Sequence, residues 1–150
     1  MKTIDLPNPI LMPNGKPLQP WQWDVLRALL PTHESRDSGM CALTKRQVTR
    51  ELRRTNRMDR YPNYKTKRWL TLKEAKLVDR TRQRDLEDKS WVPGMSQVQR
   101  DWRWWMTKQG KAFYDYVHLL LGGSISSRGV ELKGDDAAHE IRDRWGWPRS

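Results

Sequence analysis

The sequence WRWWMTKQGKAFYDYV, residues 102–117, places three tryptophans within four positions and then changes to threonine, glycine and a helix-like pattern. Successive side chains point to opposite faces of a β-strand, so a strand over residues 97–106 puts Trp102, Trp104 and Met106 on one face. A buried tryptophan removes roughly 150–250 Å² of surface from water, a large contribution to the core of a small domain. The pattern therefore predicts a strand with two of the three indoles in the core.

Trp105 points to the other face of the same predicted strand. Its large apolar ring favours burial, so we expect it to be covered. The sequence leaves three coverings open: a helix near the C-terminus, a dimer interface, or a nucleic-acid base that stacks on the indole.

Thr107 follows that strand and is a favourable N-cap for a helix over residues 108–121, which a pair of glycines ends. Beyond it, residues 122–150 form a C-terminal extension with a short extended piece at residues 130–132. A short amphipathic helix then presents one apolar face, formed by Ala138, Ile141 and Trp145. We expect this extension to pack on the domain or on a second copy.

Upstream of the strand, the chain begins with an arm and a first helix. Residues 1–20 contain five prolines, which interrupt regular structure, so we expect them to be extended. Apolar residues at helical spacing begin at Trp21 and stop at Pro31. A polar loop over residues 33–39 and a short apolar strand over residues 40–43 follow.

Two more helices and a strand complete the predicted domain. The second helix covers residues 45–54, with Thr44 as its N-cap. The third covers residues 62–76, buries Trp69 and leaves a basic side exposed. It leads into a strand over residues 77–82.

Length and cysteine content limit the class of protein. A chain of 150 residues has the size of one domain. Cys41 has no second cysteine and the three histidines are scattered, so no disulfide, structural metal site or cofactor is predicted, and Cys41 is expected to be a buried small apolar residue. The apolar run 117–121 is too short to cross a bilayer and no signal-peptide pattern is present, so we expect a cytoplasmic protein without a membrane partner.

The net charge of +11 is concentrated in one part of the chain. Residues 45–84 hold fifteen Lys and Arg against four acidic residues, and the remaining residues hold equal numbers of each sign. Such a segment attracts polyanions, because release of counterions from nucleic-acid phosphates favours binding. A solvated charged surface and an acidic protein partner are the alternatives. We expect nucleic acid as the ligand.

The order of predicted elements over residues 21–121 resembles the winged helix-turn-helix family of DNA-binding regulators. The sequence LTKRQV at residues 43–48 is similar to the start of the second helix in such domains. The sequences WL at residues 69–70 and KLV at residues 76–78 are similar to a recognition helix that leads into the wing. The sequence WWMTKQG at residues 104–110 resembles the junction that closes the wing and opens the final helix.

The resemblance implies an α+β fold: a mostly helical winged helix-turn-helix domain with a small antiparallel sheet, here with an extra C-terminal helix. It implies a small transcriptional or phage regulator that reads the major groove of double-stranded DNA with a basic third helix. The base or groove contacts would be Asn63, Tyr64, Lys65, Lys67, Arg68 and Thr71. The phosphate contacts would be Lys45, Arg46, Arg50, Arg53, Arg57, Arg80 and Arg82.

Two features differ from the family pattern. The connection over residues 55–61 is longer than the turn of a tight helix-turn-helix. The tip of the predicted wing carries Asp85, Glu87 and Asp88 among basic residues, so it is close to neutral and we assign it no phosphate contact.

No motif predicts an enzyme. The acidic and basic residues at 84–89 lie in a predicted loop, and His139-Glu140 lacks the second histidine of a zinc protease motif. The alternative function is a protein inhibitor or adaptor that places the same basic face on an acidic partner. A homodimer is a further partner that the sequence leaves open.

Overall fold

A computed structural model gives the fold, and it describes residues 9–37, 42–54, 66–82 and 102–149. The helices within these residues are α1 (Pro20–Leu29), α2 (Lys45–Arg54), α3 (Thr66–Glu74), α4 (Lys108–Leu120) and α5 (Asp135–Trp145), with a 3₁₀ segment at Leu30–Asp37. The strands are β1 (Leu43–Thr44), β2 (Val78–Arg82), β3 (Trp102–Met106), β4 (Ser124–Ser127) and β5 (Val130–Lys133). The fold is α+β with a small antiparallel sheet, as the sequence predicts.

The strand rich in tryptophan lies in the middle of a three-stranded sheet. The strand order is β1-β3-β2, and both pairings are antiparallel. Leu43 and Arg80 lie on either side of Trp104. Because β3 lies between the other two strands, it joins β1, which precedes α2, and β2, which follows α3, into one sheet.

The predicted helix boundaries agree closely with the structure upstream of the sheet. Helix α2 has the predicted bounds, whereas α3 begins at Thr66, and the part of its prediction over residues 62–65 lies outside the described residues. The loop predicted over residues 33–39 is wrong for residues 33–37, where the 3₁₀ segment continues. The buried hydroxyl of Thr32 accepts a hydrogen bond from the backbone N–H of Met106, so this segment lies against β3.

The arm before α1 packs on the core through alternate side chains. Ile10, Met12 and Leu18 are buried, and the amide of Leu18 donates to the carbonyl of Ile10 at 2.7 Å. Gly15 has a φ of 84° in the turn between them, a backbone conformation that favours glycine.

The C-terminal extension packs on α4, as predicted, but with two differences. Strand β4 is absent from the prediction, because its sequence SISS carries a single apolar side chain and shows little alternation. The inward position predicted for Trp145 is wrong: its side chain is 37% exposed, and Trp147 is buried instead. Gly146 adopts a φ of 71° and turns the chain after α5, so that Trp147 reaches Phe113.

The alternation predicted for β3 is confirmed at Trp104, Trp105 and Met106, but the prediction that two of the three indoles lie in the core is wrong. Trp104 and Met106 are fully buried, and Trp104 packs against Trp69 of α3 with ring centroids 5.2 Å apart. Trp102 and Trp105 are only half-buried. One indole of the three therefore belongs to the central core.

The end of α3 and the start of α4 are joined by hydrogen bonds. The hydroxyl of Thr107 caps α4 by accepting from the amide of Gly110, and it donates to the carbonyl of Lys76 at 2.7 Å. The amide of Thr107 donates to the carbonyl of Leu77, and the side chain of Gln109 donates to that of Ala75. The carbonyls of Ala75, Lys76 and Leu77, in the turn that follows α3, are thus bound by Thr107 and Gln109 at the start of α4. We call this set of contacts the α3–α4 junction.

Gly110 is required for this junction, since a Cβ there would overlap the backbone carbonyl of Leu77. We expect Gly110→Ala to lower the free energy of unfolding by at least about 2 kcal/mol through steric overlap. Alanine otherwise stabilises a helix by about 1 kcal/mol relative to glycine, so the expected sign is opposite to helix propensity. Chemical denaturation measures the change, and Lys108→Ala, an exposed position of the same turn, is the control. Unchanged or raised stability of Gly110→Ala would contradict the close approach.

The two tryptophans on opposite faces of β3 are predicted to differ in their contribution to stability. Trp104→Ala should cost about 3–5 kcal/mol, because it leaves a cavity beside Trp69. Trp105→Ala should cost about 1–2 kcal/mol, because its indole is only partly buried. Equal losses in thermal and chemical unfolding would contradict the assignment of these faces.

Candidate nucleic-acid interface

Helix α2 separates apolar from basic side chains. Thr44 and Gln47 form a capping box: the hydroxyl of Thr44 accepts from the amide of Gln47, and the Gln47 side chain accepts from the amide of Thr44. Val48 and Leu52 are one turn apart and are buried in the core. The opposite side of the helix is therefore left to solvent, and its exposed basic residues are Arg46, Arg50, Arg53 and Arg54.

The basic side chains of α2 differ in their pairing and in their burial. Arg54 forms an ion pair with Glu51 at 2.6 Å, and this hydrogen bond, together with the negative charge of Glu51, raises the pKa of Arg54. Partial burial lowers the pKa of Lys45, because desolvation disfavours its charged form. None of the ion pairs found among the described residues involves Arg46, Arg50 or Arg53. These three guanidinium groups form a positive stripe, here called the α2 arginine stripe.

Helix α3 packs one side on the core and is hydrogen-bonded to α1. Trp69 and Leu72 are buried, and Arg68 and Lys73 are exposed. Thr71, a predicted base contact, is half-buried, and its hydroxyl donates to the carbonyl of Arg68 and accepts from the side-chain amide of Gln22 at 3.0 Å. In this structure Thr71 therefore links α3 to α1.

The remaining residues that are predicted to contact DNA fall into two groups. Asn63, Tyr64, Lys65 and Arg57 lie outside the described residues. Lys67 and Arg82 lie in α3 and β2, but their side chains are also outside the described part of the chain. Their roles stay predictions.

Arg80 is positioned by aromatic rings at the start of the predicted wing. Its guanidinium lies 4.1 Å from the ring centroid of Trp102 and 5.4 Å from that of Trp104. Attraction between a cation and an aromatic face holds the side chain in one place. Trp102 is only half-buried, unlike Trp104, and its ring holds the guanidinium of Arg80 in place.

Sequence reasoning assigns no role to three residues that the structure connects with this region. Lys73, in the last turn of α3, and Lys76, just after the helix, are exposed. The sequence indicates them only through their place in the charged segment. Gln22 is buried, accepts from the amide of Gln19 and donates to Thr71. A single glutamine in a helix gives no sequence signal, because its partner lies 49 residues away.

A metal site and a membrane-spanning helix are two further features that could suggest a function. Within the described segments of the chain, no group of three or more His, Cys, Asp and Glu side chains could hold a metal ion. No helix among the described residues has the length and apolar composition needed to cross a membrane. Comparisons with protein-family models, with curated proteins and with solved structures give no match for this chain.

Removing the hydroxyl of Thr71 is predicted to loosen α3 from α1. Thr71→Val leaves the buried amide of Gln22 without its acceptor, so we expect a loss of about 1–3 kcal/mol in the free energy of unfolding. Thr71→Ser keeps the hydroxyl and should stay close to the wild type. Chemical denaturation compares the two variants, and equal stability would show that this hydrogen bond does not position α3.

Proposed function

We propose that this protein binds double-stranded DNA through α2 and α3, as a small cytoplasmic regulator of bacterial or phage type. The observation that carries the proposal is the α2 arginine stripe: Arg46, Arg50 and Arg53 are exposed, while the apolar residues of the same helix are buried. Arginine binds phosphate oxygens with a planar, permanently charged group. The stripe is therefore suited to a polyanionic surface.

The arrangement of elements supports the same proposal. Helices α2 and α3 follow β1, and the sheet order β1-β3-β2 places the two strands of the predicted wing side by side after α3. This agrees with the order of elements expected for a winged helix-turn-helix domain. Arg80 lies on the first of those strands and is held by Trp102.

The two helices are given different roles. The exposed arginines of α2 would bind phosphates and set the position of the protein on the duplex, without reading sequence. Helix α3 would approach the major groove, where Arg68 is exposed in its first turns. The hydrogen bond between Thr71 and Gln22 holds α3 against α1 and would fix its angle to the groove.

The test is binding of a mixed-sequence duplex at several salt concentrations, followed by fluorescence anisotropy. Each phosphate contact contributes about 0.9 to the slope of log affinity against log salt. The triple variant Arg46→Gln, Arg50→Gln, Arg53→Gln should therefore lower the slope by about 2–3 and weaken binding to any sequence.

The control removes the same charge elsewhere, through Lys16→Gln, Lys133→Gln and Arg149→Gln, three exposed residues outside α2 and α3. It should keep most of the wild-type slope. Equal effects of the two triple variants would show that net charge, and not the α2 arginine stripe, determines binding. Wild-type protein that fails to bind duplex at low salt would overturn the proposal and favour an acidic protein surface as the partner.

A further inference from the structure

The C-terminal extension and α4 enclose an apolar groove away from the basic helices. The hairpin of β4 and β5 and the helix α5 pack on α4, and the groove between them has a volume of about 640 Å³. Its apolar lining is contributed by all four elements, through Ala112, Ile125, Leu132, Ala137 and Ile141. We call this the C-terminal groove.

The most exposed apolar side chains lie in the same place. Val130 is 58% exposed and Trp145 is 37% exposed, and among the described residues these are the exposed large hydrophobic side chains. Both line the C-terminal groove. Single exposed apolar residues are common on proteins, but clustered ones beside an apolar groove are typical of an interaction site.

The indole of Trp145 packs against the indole of Trp147. Its ring stacks on Trp147 with centroids 5.7 Å apart and an interplanar angle of 19°. Trp147 in turn meets Phe113 and Tyr116 edge to face in the core. A rigid tryptophan with one covered and one solvent-facing side loses little conformational freedom on binding, which is a property of interface anchors.

The charges of this region favour a second copy of the chain as the partner. Asp115 and Glu140 line the groove together with Arg128 and Arg144, so acidic and basic groups are balanced there. Residues 122–150 as a whole carry five Lys and Arg and five Asp and Glu, whereas the protein carries a net charge of +11. Two copies repel each other through their basic segments, and this neutral region is where they approach without that cost.

Both acids also have partners within the same chain, because Lys111 pairs with Asp115 at 2.8 Å and Arg144 with Glu140 at 3.4 Å. Burying the groove against a neutral surface therefore leaves neither of these acids without a partner. A polyanion gains nothing from such a surface, since it offers no surplus of positive charge.

We propose that the C-terminal groove docks a second copy of this chain, with Val130 and Trp145 of each copy covering the groove of the other. A two-fold interface joins a patch to itself, so the patch must contain both the projecting side chains and the cavity that receives them. Both are present on this one surface. The proposal does not depend on DNA binding.

The test is sedimentation velocity without DNA over a wide range of protein concentrations, with the wild type, Val130→Lys, Trp145→Arg and Glu131→Gln. The wild type should pass from monomer to dimer as the concentration rises. Val130→Lys and Trp145→Arg should each weaken the dimer by about tenfold or more, because burial of a large apolar side chain is lost. Glu131 is the neighbour of Val130 on the other face of the hairpin, so Glu131→Gln should behave as the wild type.

Thermal unfolding distinguishes a variant that fails to fold from a variant that folds but does not dimerise. Val130 is largely exposed, so Val130→Lys should unfold at the wild-type temperature while it remains monomeric. A wild type that stays monomeric throughout would overturn the proposal. It would also be overturned if Val130→Lys dimerised as well as the wild type, or if Glu131→Gln weakened the dimer equally.

Discussion

The carbonyl groups of the turn that follows α3 are bound by the residues that begin α4, and the position of the candidate DNA-reading helix depends on this α3–α4 junction. Lys76, in the turn after α3, has a φ of 62°, a conformation in which residues other than glycine are uncommon. The chain keeps it because the hydroxyl of Thr107 binds its carbonyl and Gly110 allows α4 to approach Leu77. The same contacts bring β2 and β3 side by side, so they fix the positions of both the sheet and α3.

A second constraint is the small amount of apolar surface on the basic helices. Helix α2 buries only Val48 and Leu52, and its remaining residues are mostly charged. A short helix of this composition is not stable alone and forms because the core receives those two side chains. The tryptophans of α3 and β3 supply much of that core, since Trp69 packs on Trp104. Concentrating apolar area in a few indoles leaves the outer faces free for arginine and lysine.

The sequence predicts best where the signal is local. The cap at Thr107, the bounds of α2 and the alternation along β3 each depend on neighbouring residues, and each is confirmed. Features set by distant contacts are missed: the 3₁₀ segment depends on Thr32 meeting β3, and the role of Gln22 depends on Thr71. The charged segment could be located from the sequence, but which of its arginines are exposed and unpaired required the fold.

Two surfaces of different character therefore lie on one small protein. The α2 arginine stripe carries exposed positive charge, and the C-terminal groove carries balanced charge around exposed apolar side chains. Our two proposals therefore place a polyanion on the first surface and a second copy of the chain on the second.

The most direct test of this assignment is a titration of isotope-labelled protein with a short DNA duplex, followed through the amide chemical shifts. The account predicts that the largest changes occur in α2 and α3, and that β4, β5 and α5 change little. Changes centred on the C-terminal extension, with α2 unaffected, would contradict it.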